Sequence, residues 1–307
     1  MFAAFLATLL FSLSVVAASR TTRALGGTTA NFYRLILATT FLALWAHGVG
    51  QGLGGGAFGW FFVSGVIGFG MGDLALYQAL PRLGPRLTIL MVQCLAAPFA
   101  ALTEWLWMGT RLSPGQLLAG LIILAGVAIA VAPREHLHLP KRALMIGLLL
   151  GVVAALGQGL GAVISRKAYA MVELNGGAVD GMTAAYQRIL GGLLFTAPYA
   201  LAMLTRDRWR AREGGMIDAA VPVGRRPGRS LWIWVVVNSL AGPTVGVGCY
   251  QWALATQPSG VVLPIVATTP IAVIPFAYLV EGDRPSLRSV IGGIVAVGGA
   301  IALTLIR

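Results

Sequence analysis

The sequence predicts an all-α integral membrane protein with ten transmembrane helices, arranged as two inverted five-helix repeats. Composition is the first reason: of 307 residues, 57% are hydrophobic and only 10% are charged, whereas soluble domains carry about 25% charged residues. Length is the second, because ten apolar spans of about 20 residues each fit within the chain and leave residues for loops. The third reason is an internal repeat that relates the two halves of the sequence.

Ten apolar runs of membrane length follow one another along the chain and give the predicted spans. They cover residues 1–19, 29–47, 57–80, 87–108, 113–132, 142–165, 181–204, 231–254, 259–280 and 286–306. Stretches rich in glycine or proline separate many of them, as expected of loops. No basic residue precedes the first run, which is therefore interpreted as a retained helix and not as a signal peptide.

The internal repeat is visible when the sequence is shifted against itself by 173 positions. The matched pairs include Tyr77 with Tyr250, Gln78 with Gln251, Gly109 with Gly282, Gly120 with Gly293 and Gly126 with Gly299. Because each repeat contains five helices, an odd number, the second copy enters the membrane upside down, as in many secondary transporters. The predicted units are residues 1–135 and 136–307, with a basic loop at about 205–230 in the second.

Several residues give the sequence a resemblance to a known family. They are Arg34 and Arg188 early in spans two and seven, the Tyr-Gln pairs that end spans three and eight, Pro98 and Pro270 in spans four and nine, and the turn at 109–113. With these features the chain resembles the ten-helix EamA-type members of the drug/metabolite transporter superfamily. It departs from them at Thr110, where the family generally has Glu, and in the second connection, which lacks Lys and Arg.

The resemblance implies a secondary transporter, not an enzyme, that moves a small polar metabolite such as an amino acid or an organic anion. Transport would proceed by alternating access through a central cavity between the two repeats, without a cofactor or a bound metal. The expected partners are the small-molecule substrate, a coupling proton or exchange substrate, and the lipid bilayer of the inner membrane. The protein would be a monomer or a homodimer. The formal charge of +12 is explained by membrane topology and not by nucleic acid.

Two criteria give opposite orientations for this topology. The odd-numbered connections carry 16 of the 22 Lys and Arg residues, and the even-numbered connections with both chain ends carry four. Because basic residues gather in cytoplasmic loops, this count places both termini outside. The family resemblance places both termini inside.

Four ionisable residues lie within predicted spans, namely Arg34, Asp73, Glu104 and Arg188. A charge at mid-bilayer costs about 2.5–3.5 kcal/mol on insertion scales, which makes each a functional candidate. Arg34 and Asp73 lie towards one membrane face, and Glu104 and Arg188 towards the other. We therefore expect two gating charge pairs, one on each side of the central cavity.

Polar and aromatic residues within the spans are the candidates for lining the substrate cavity. The predicted set is Arg34, Asp73, Tyr77, Gln78, Gln93, Arg188, Tyr250, Gln251 and Trp252. The position equivalent to Asp73 in the second half is Gly246, so Arg188 is expected to be less neutralised than Arg34. This difference predicts an anionic or zwitterionic substrate. The predicted hinges are Pro98, Pro264 and Pro270, which free backbone carbonyls inside spans.

Two other classes of function remain open at this stage. An intramembrane lipid-modifying enzyme would use the same acids and arginines near a single interface, whereas a carrier needs equivalent groups near both. The symmetric positions of Arg34 and Arg188 favour the carrier. A non-transporting membrane scaffold would need no intramembrane charge at all.

Overall fold

A computed structural model describes residues 1–131, 141–212, 229–281 and 286–306, and these residues form helices without a strand. The α-helices are α1 (Phe2–Leu25), α2 (Gly27–Gly48), α3 (Phe58–Gly65), α4 (Asp73–Met108), α5 (Pro114–Val131), α6 (Lys141–Leu174), α7 (Gly181–Arg212), α8 (Arg229–Ser239), α9 (Val245–Thr256), α10 (Ser259–Val266), α11 (Thr269–Glu281) and α12 (Leu287–Leu305). Within the described residues, seven segments are long and apolar enough to cross a membrane by length and composition.

Two short π-helical segments interrupt the α-helical pattern, at Val66–Gly72 between α3 and α4 and at Leu240–Thr244 between α8 and α9. Shifting the first segment by 173 positions places it over residues 239–245, which contain the second segment. Short π-helical turns of this kind are frequent at functional sites. The two halves of the sequence therefore share a local backbone irregularity as well as residue identities.

Helix α4 reverses direction within its length, as its contacts with α6 demonstrate. Gly68 and Gly72, in the π segment just before α4, approach Gly161 and Gly157 of α6, and Leu83 within α4 approaches Gly147, so this part runs antiparallel to α6. Further along, Met91 lies beside Gly151 and Ala96 beside Gly159, so that part runs parallel to α6. The third and fourth apolar runs thus pack on α6 as two separate arms.

The predicted end of span six is wrong. The run was expected to end at residue 165, whereas α6 continues to Leu174 and measures 34 residues, or about 51 Å at 1.5 Å per residue. The low hydropathy of Arg166 and Lys167 is the reason that the sequence predicts an end at residue 165. Packing extends the helix beyond it, because the Tyr169 ring contacts the Phe61 ring edge-on at 5.0 Å.

Helices α5 and α12 pack antiparallel through glycines. Near one end Gly115 lies beside Ile306, and further along Gly126 lies beside Gly292 and Ala296. A methyl group on Gly126 would lie only 2.5 Å from the Ala296 backbone nitrogen. Small residues let helix backbones approach this closely, which is how helices associate in membranes.

Helices α10 and α11 are separated by a break at residues 267–268, between Pro264 and Pro270. Polar side chains of α1 satisfy backbone carbonyls beside it: Thr8 Oγ1 donates to the Ile265 oxygen at 3.3 Å, and Ser12 Oγ donates to the Thr269 oxygen at 3.2 Å. Buried backbone polar groups need such partners. The predicted unit boundary at 135/136 and most of the basic loop at about 205–230 lie outside the described residues.

Candidate functional site

Arg188 lies deep in the helix bundle, with only 5% of its surface exposed. It stands seven residues after the start of α7, which places it about 10 Å along the helix. Its guanidinium carbon lies 5.3 Å from the centre of the Phe69 ring in the first π segment. Gly68 and Gly161 leave space for the guanidinium, because a methyl group on either would lie 3.0 or 3.3 Å from Nη2.

Three buried polar side chains around this point lack hydrogen-bond partners within the described residues. The Arg188 Nε, the Tyr169 hydroxyl and the Tyr250 hydroxyl are all unpartnered, and each residue is at most 7% exposed. Both tyrosines and Asp73 lie within electrostatic range of the Arg188 guanidinium. We call Arg188, Tyr169 and Tyr250 the polar cluster. An unsatisfied buried polar group costs about 1–3 kcal/mol, and more when it is charged.

Ring contacts hold the two phenols of the polar cluster in place. Tyr169 packs edge-on against Phe61, and the Tyr250 ring lies 6.2 Å from that of Phe11. Next to Tyr250 on α9, Gln251 is fully buried, and its amide nitrogen and oxygen also lack partners in the described part of the chain. These side chains can therefore offer hydrogen bonds to a polar molecule without first breaking others.

Arg34, in the first half of α2, forms an ion pair with Asp73. The Arg34 Nη2 lies 3.5 Å from Asp73 Oδ2, and the two side chains are 16% and 24% exposed. Nη2 also donates to Asn31 Oδ1 at 2.8 Å. Asp73 is the first residue after the π segment. The carboxylate therefore neutralises Arg34 at a partly open position.

The expected pair between Glu104 and Arg188 is wrong, because Glu104 pairs with Arg166 instead, at 3.3 Å between Oε1 and Nε. The other carboxylate oxygen accepts from the Ser259 backbone nitrogen at 2.7 Å and from the Ser259 hydroxyl. Arg166 Nη1 donates to the Leu254 carbonyl oxygen at 2.7 Å. We call Glu104, Arg166 and Ser259 the Glu104 cluster.

The Glu104 cluster joins four helices at the end of the molecule where α10 begins. Glu104 is on α4 and caps the N-terminus of α10, while Arg166 of α6 contacts the last carbonyls of α9. The negative Glu104 lies at the positive N-terminal end of the α10 dipole, and the positive Arg166 lies at the negative C-terminal end of the α9 dipole. The side chain of Glu104 is 2% exposed, so its carboxylate is shielded from solvent.

The remaining predicted cavity residues are distributed over several places. Gln78 Nε2 donates to the Tyr199 hydroxyl at 2.7 Å, and Gln158 Nε2 donates to Gln93 Oε1 at 3.2 Å. Trp252 is 52% exposed. The side chain of Tyr77 lies outside the described part of the structure. Of the predicted hinges, Pro264 and Pro270 flank the helix break, and Pro98 is exposed on α4.

Trp252 instead lines a cavity of about 610 Å³ between the end of α2, the start of α7 and α9. Asp180 and Trp45 also line it, and the Trp45 Nε1 donates to Asp180 Oδ1 at 3.2 Å. Burial alone would raise the pKa of Asp180, but hydrogen bonds from Thr183, Trp45 and Met182 lower it below the ordinary value.

Two residues of these sites were missed by sequence reasoning. The sequence predicts a loop at Arg166 and Tyr169, because the sixth apolar run ends at residue 165. A usable signal existed for Arg166, since Ser165 and Arg166 match Ser19 and Arg20 of the first half. No comparable signal identifies Tyr169, which depends on packing against Phe61.

The fold and these sites define an all-helical membrane protein with a charged polar cluster buried among its helices. The family model of the EamA-like transporter family matches residues 1–132 and 145–305. The chain therefore belongs to this family, within the drug/metabolite transporter superfamily, and its class is that of small-molecule membrane transporters.

Other comparisons bear on the fold alone. One solved structure, titled "Crystal structure of protein", has a TM-score of 0.69 and 21% sequence identity, and the match covers 99% of this chain and 96% of that chain. No protein with a curated description matches the chain.

Proposed function

We propose that the protein is a secondary transporter that moves a small polar metabolite, such as an amino acid or an organic anion, by alternating access. The polar cluster carries this proposal, because Arg188 is a buried cation without an ion-pair partner among the described residues. Intramembrane charges of this kind mark substrate pathways. The substrate would bind between the two repeats, near the first π segment and α9.

Two inverted five-helix repeats, residues 1–135 and 136–307, would form the ten-span carrier. The antiparallel packing of α5 and α12, which are equivalent under the 173-residue shift, supports this arrangement. The end of α2 also lies beside the start of its counterpart α7, where His47 Nε2 is 3.2 Å from the Tyr186 hydroxyl. Equivalent helices run antiparallel when a repeat is inverted in the membrane.

The gates of the carrier would be the two ion pairs at its ends. The Glu104 cluster would close one end, and the Arg34–Asp73 pair would close the other; both pairs are formed in this structure. Transport would then open each end in turn by breaking one pair while the other stays formed. The break at residues 267–268, flanked by Pro264 and Pro270, would act as a hinge, with Pro98 as a further flexible point on α4.

Transport assays in proteoliposomes test this proposal. Vesicles containing the purified protein would be supplied with radiolabelled amino acids, organic acids and nucleotide sugars, with and without a pH gradient or an internal exchange substrate. Protein-free vesicles are the control. At least one solute should accumulate or exchange above the control. The proposal is contradicted if no solute does so in either direction under any gradient.

Orientation in the inner membrane can be tested with single cysteines in a variant lacking Cys94 and Cys249. Asn175→Cys is at the end of the molecule where α6 ends, and Arg206→Cys is on the last exposed turns of α7. The count of basic residues predicts that an impermeant maleimide labels intact cells only at position 175. Labelling only at position 206 would support the family's usual orientation instead.

A further inference from the structure

We infer that Arg188, Tyr169 and Tyr250 form a binding site for one carboxylate group of the transported solute. The inference rests on the proposed function and makes it more specific. It assigns the chemical class of the substrate and adds Tyr169, from α6, to the residues that would recognise it.

The charge of the cluster points to an anion. Arg188 is 5% exposed and forms no ion pair within 4.0 Å among the described residues. Its counterpart Arg34 is paired with Asp73, and Asp73 is therefore already engaged although it acts on Arg188 from a distance. A buried charge without a partner is strongly unfavourable, so a bound anion would complete this site.

The second half has no room for an acid of its own in the equivalent position. That position is Gly246, where a methyl group would overlap the Ala241 carbonyl oxygen and lie 2.9 Å from the Phe11 ring. A carboxylate side chain cannot be placed there without moving α1 or α9. A bound anion would therefore supply the negative charge that this position lacks.

The donors available in the cluster match one carboxylate. The unpartnered Nε of Arg188 and the two phenol hydroxyls give three hydrogen-bond donors, and a carboxylate accepts up to about four hydrogen bonds on its two oxygens. The single positive charge also matches the charge of a carboxylate. A phosphate group carries about −1.5 to −2 at pH 7, and Arg188 alone would leave part of that charge uncompensated.

Packing holds the three donors in a fixed arrangement before any ligand binds. Gly68 and Gly161 lie against Nη2, which leaves the Nε edge of the guanidinium unpartnered. Phe61 and Phe11 contact the two tyrosine rings. A site formed in advance loses less conformational entropy on binding. The low-dielectric surroundings also strengthen each hydrogen bond to a charged ligand.

Matched pairs of probes test the site on the purified full-length protein. The probes are L-alanine, L-leucine, L-phenylalanine, pyruvate and benzoate, each compared with its neutral amide, together with inorganic phosphate and UDP-glucose. Binding is measured by thermal shift and by radioligand titration, and transport is measured in proteoliposomes. We expect the best-bound probe to be a carboxylate whose amide binds at least about tenfold more weakly, the loss expected for a hydrogen-bonded charge.

Variants then assign the interaction to the cluster. Arg188→Gln should weaken binding of the best carboxylate at least about tenfold, and Tyr169→Phe and Tyr250→Phe should each weaken it about three- to tenfold. Tyr186→Phe is the matched control, because that buried hydroxyl already lies 3.2 Å from His47 Nε2; it should leave binding unchanged. If Arg188→Gln does not fold, the two phenylalanine variants decide.

The outcomes separate the site from the proposed function. If the best-bound probe lacks a carboxylate, or if the cluster variants bind it as well as the control variant does, the carboxylate site is refuted while transport can stand. If carboxylates bind in a cluster-dependent manner but none is transported, the site stands and the transporter proposal fails. If no probe is bound or transported, both are refuted.

Discussion

Three arginines inside the bundle differ in how completely their charges are neutralised. Arg166 contacts a carboxylate that is 2% exposed, whereas Arg34 contacts one that is 24% exposed. Arg188 has no carboxylate within 4.0 Å among the described residues. The Nε of Arg34 also lacks a hydrogen bond, but its Nη2 is paired with Asp73. In this series one arginine contacts a fully buried carboxylate, one contacts a partly exposed carboxylate, and one has no carboxylate within 4.0 Å among the described residues.

The difference between Arg34 and Arg188 is informative because the two occupy equivalent places in the repeat. Each lies in the early turns of the second helix of its half, and in each half a π segment follows later in the sequence. Only the first half carries an acid after that segment. In the proposed inverted repeat, both halves have the arginine but only one has the acid, and the proposed carrier of anions would need at least one cation that the protein does not neutralise.

The largest expected effect on stability follows from removing Glu104, the more buried of the two acids that pair with these arginines. Glu104→Gln leaves Arg166 without its negative partner, although its bonds to backbone carbonyls remain. Breaking a buried ion pair costs about 3–5 kcal/mol, and we expect about 3 kcal/mol because Arg166 is 19% exposed. A loss of this size shifts a two-state equilibrium about 100-fold. Thermal melting in detergent would measure the loss of stability.

The same variant should open the end of the molecule at which α10 begins. Cysteine accessibility from each side of the membrane, measured without Cys94 and Cys249, would detect this change. Glu173→Gln is the matched control, because Glu173 is an exposed acid near the end of α6. Equal melting and accessibility in the two variants would show that the Glu104 pair does not hold this end closed.

A smaller effect is expected at the looser pair. Asp73→Asn leaves Arg34 unpaired, but both side chains are partly exposed, so we expect a loss of about 1–2 kcal/mol, less than for a fully buried pair. The shift in accessibility should be opposite to that of Glu104→Gln. The double variant Arg34→Gln/Asp73→Asn should recover stability, since it leaves no unpaired charge. Additive losses in the double variant would mean that the two residues do not act as a pair.

Much of this arrangement could be predicted from depth along the helices, and the errors have a common cause. Counting residues from the span ends places Arg34 and Asp73 at similar heights, and the structure brings them together. The same counting placed Glu104 near Arg188, but height says nothing about position around the bundle axis. The true partner, Arg166, is at the right height on a different helix.

Hydropathy also locates helices better than it locates their ends. The described residues of the predicted runs are almost entirely helical, including both arms of α4. The hydropathy pattern does not predict the helix after residue 165, because hydropathy measures preference for lipid. The last part of α6 is stabilised instead by packing and by the contact between Arg166 and Glu104. Tyr169 could not be identified for the same reason: its role depends on the partners that the fold supplies.

Asp73 should also affect ligand binding at Arg188, with a smaller effect than on stability. The carboxylate of Asp73 interacts electrostatically with Arg188 and would repel a bound anion. Asp73→Asn should therefore increase the affinity for the best carboxylate a few-fold, as expected for a charge interaction through a partly polar medium. Radioligand titration of a variant that remains folded would measure this. Weaker binding would indicate instead that Asp73 contacts a positive group of the ligand.

The smallest expected effect on stability concerns Asp180, whose charge is stabilised by hydrogen bonds and which has no ion-pair partner among the described residues. Asp180 accepts from the Met182 and Thr183 backbone nitrogens at 2.9 and 3.0 Å, and so caps the N-terminus of α7. Asp180→Ala should cost about 1 kcal/mol, as for other N-cap residues. Asp180→Asn, which can still cap the helix, should cost less.

The pH dependence of this cap has a definite sign. Because the pKa of Asp180 in the folded protein is below its usual 3.8, the charged cap stabilises the protein at pH above about 4, and this contribution disappears as the pH falls through the lower folded value. The difference in melting temperature between the natural protein and Asp180→Asn should therefore shrink on acidification below pH 4. A difference independent of pH would assign the effect to hydrogen-bond geometry and not to charge, which would separate Asp180 from the ion-paired acids Glu104 and Asp73.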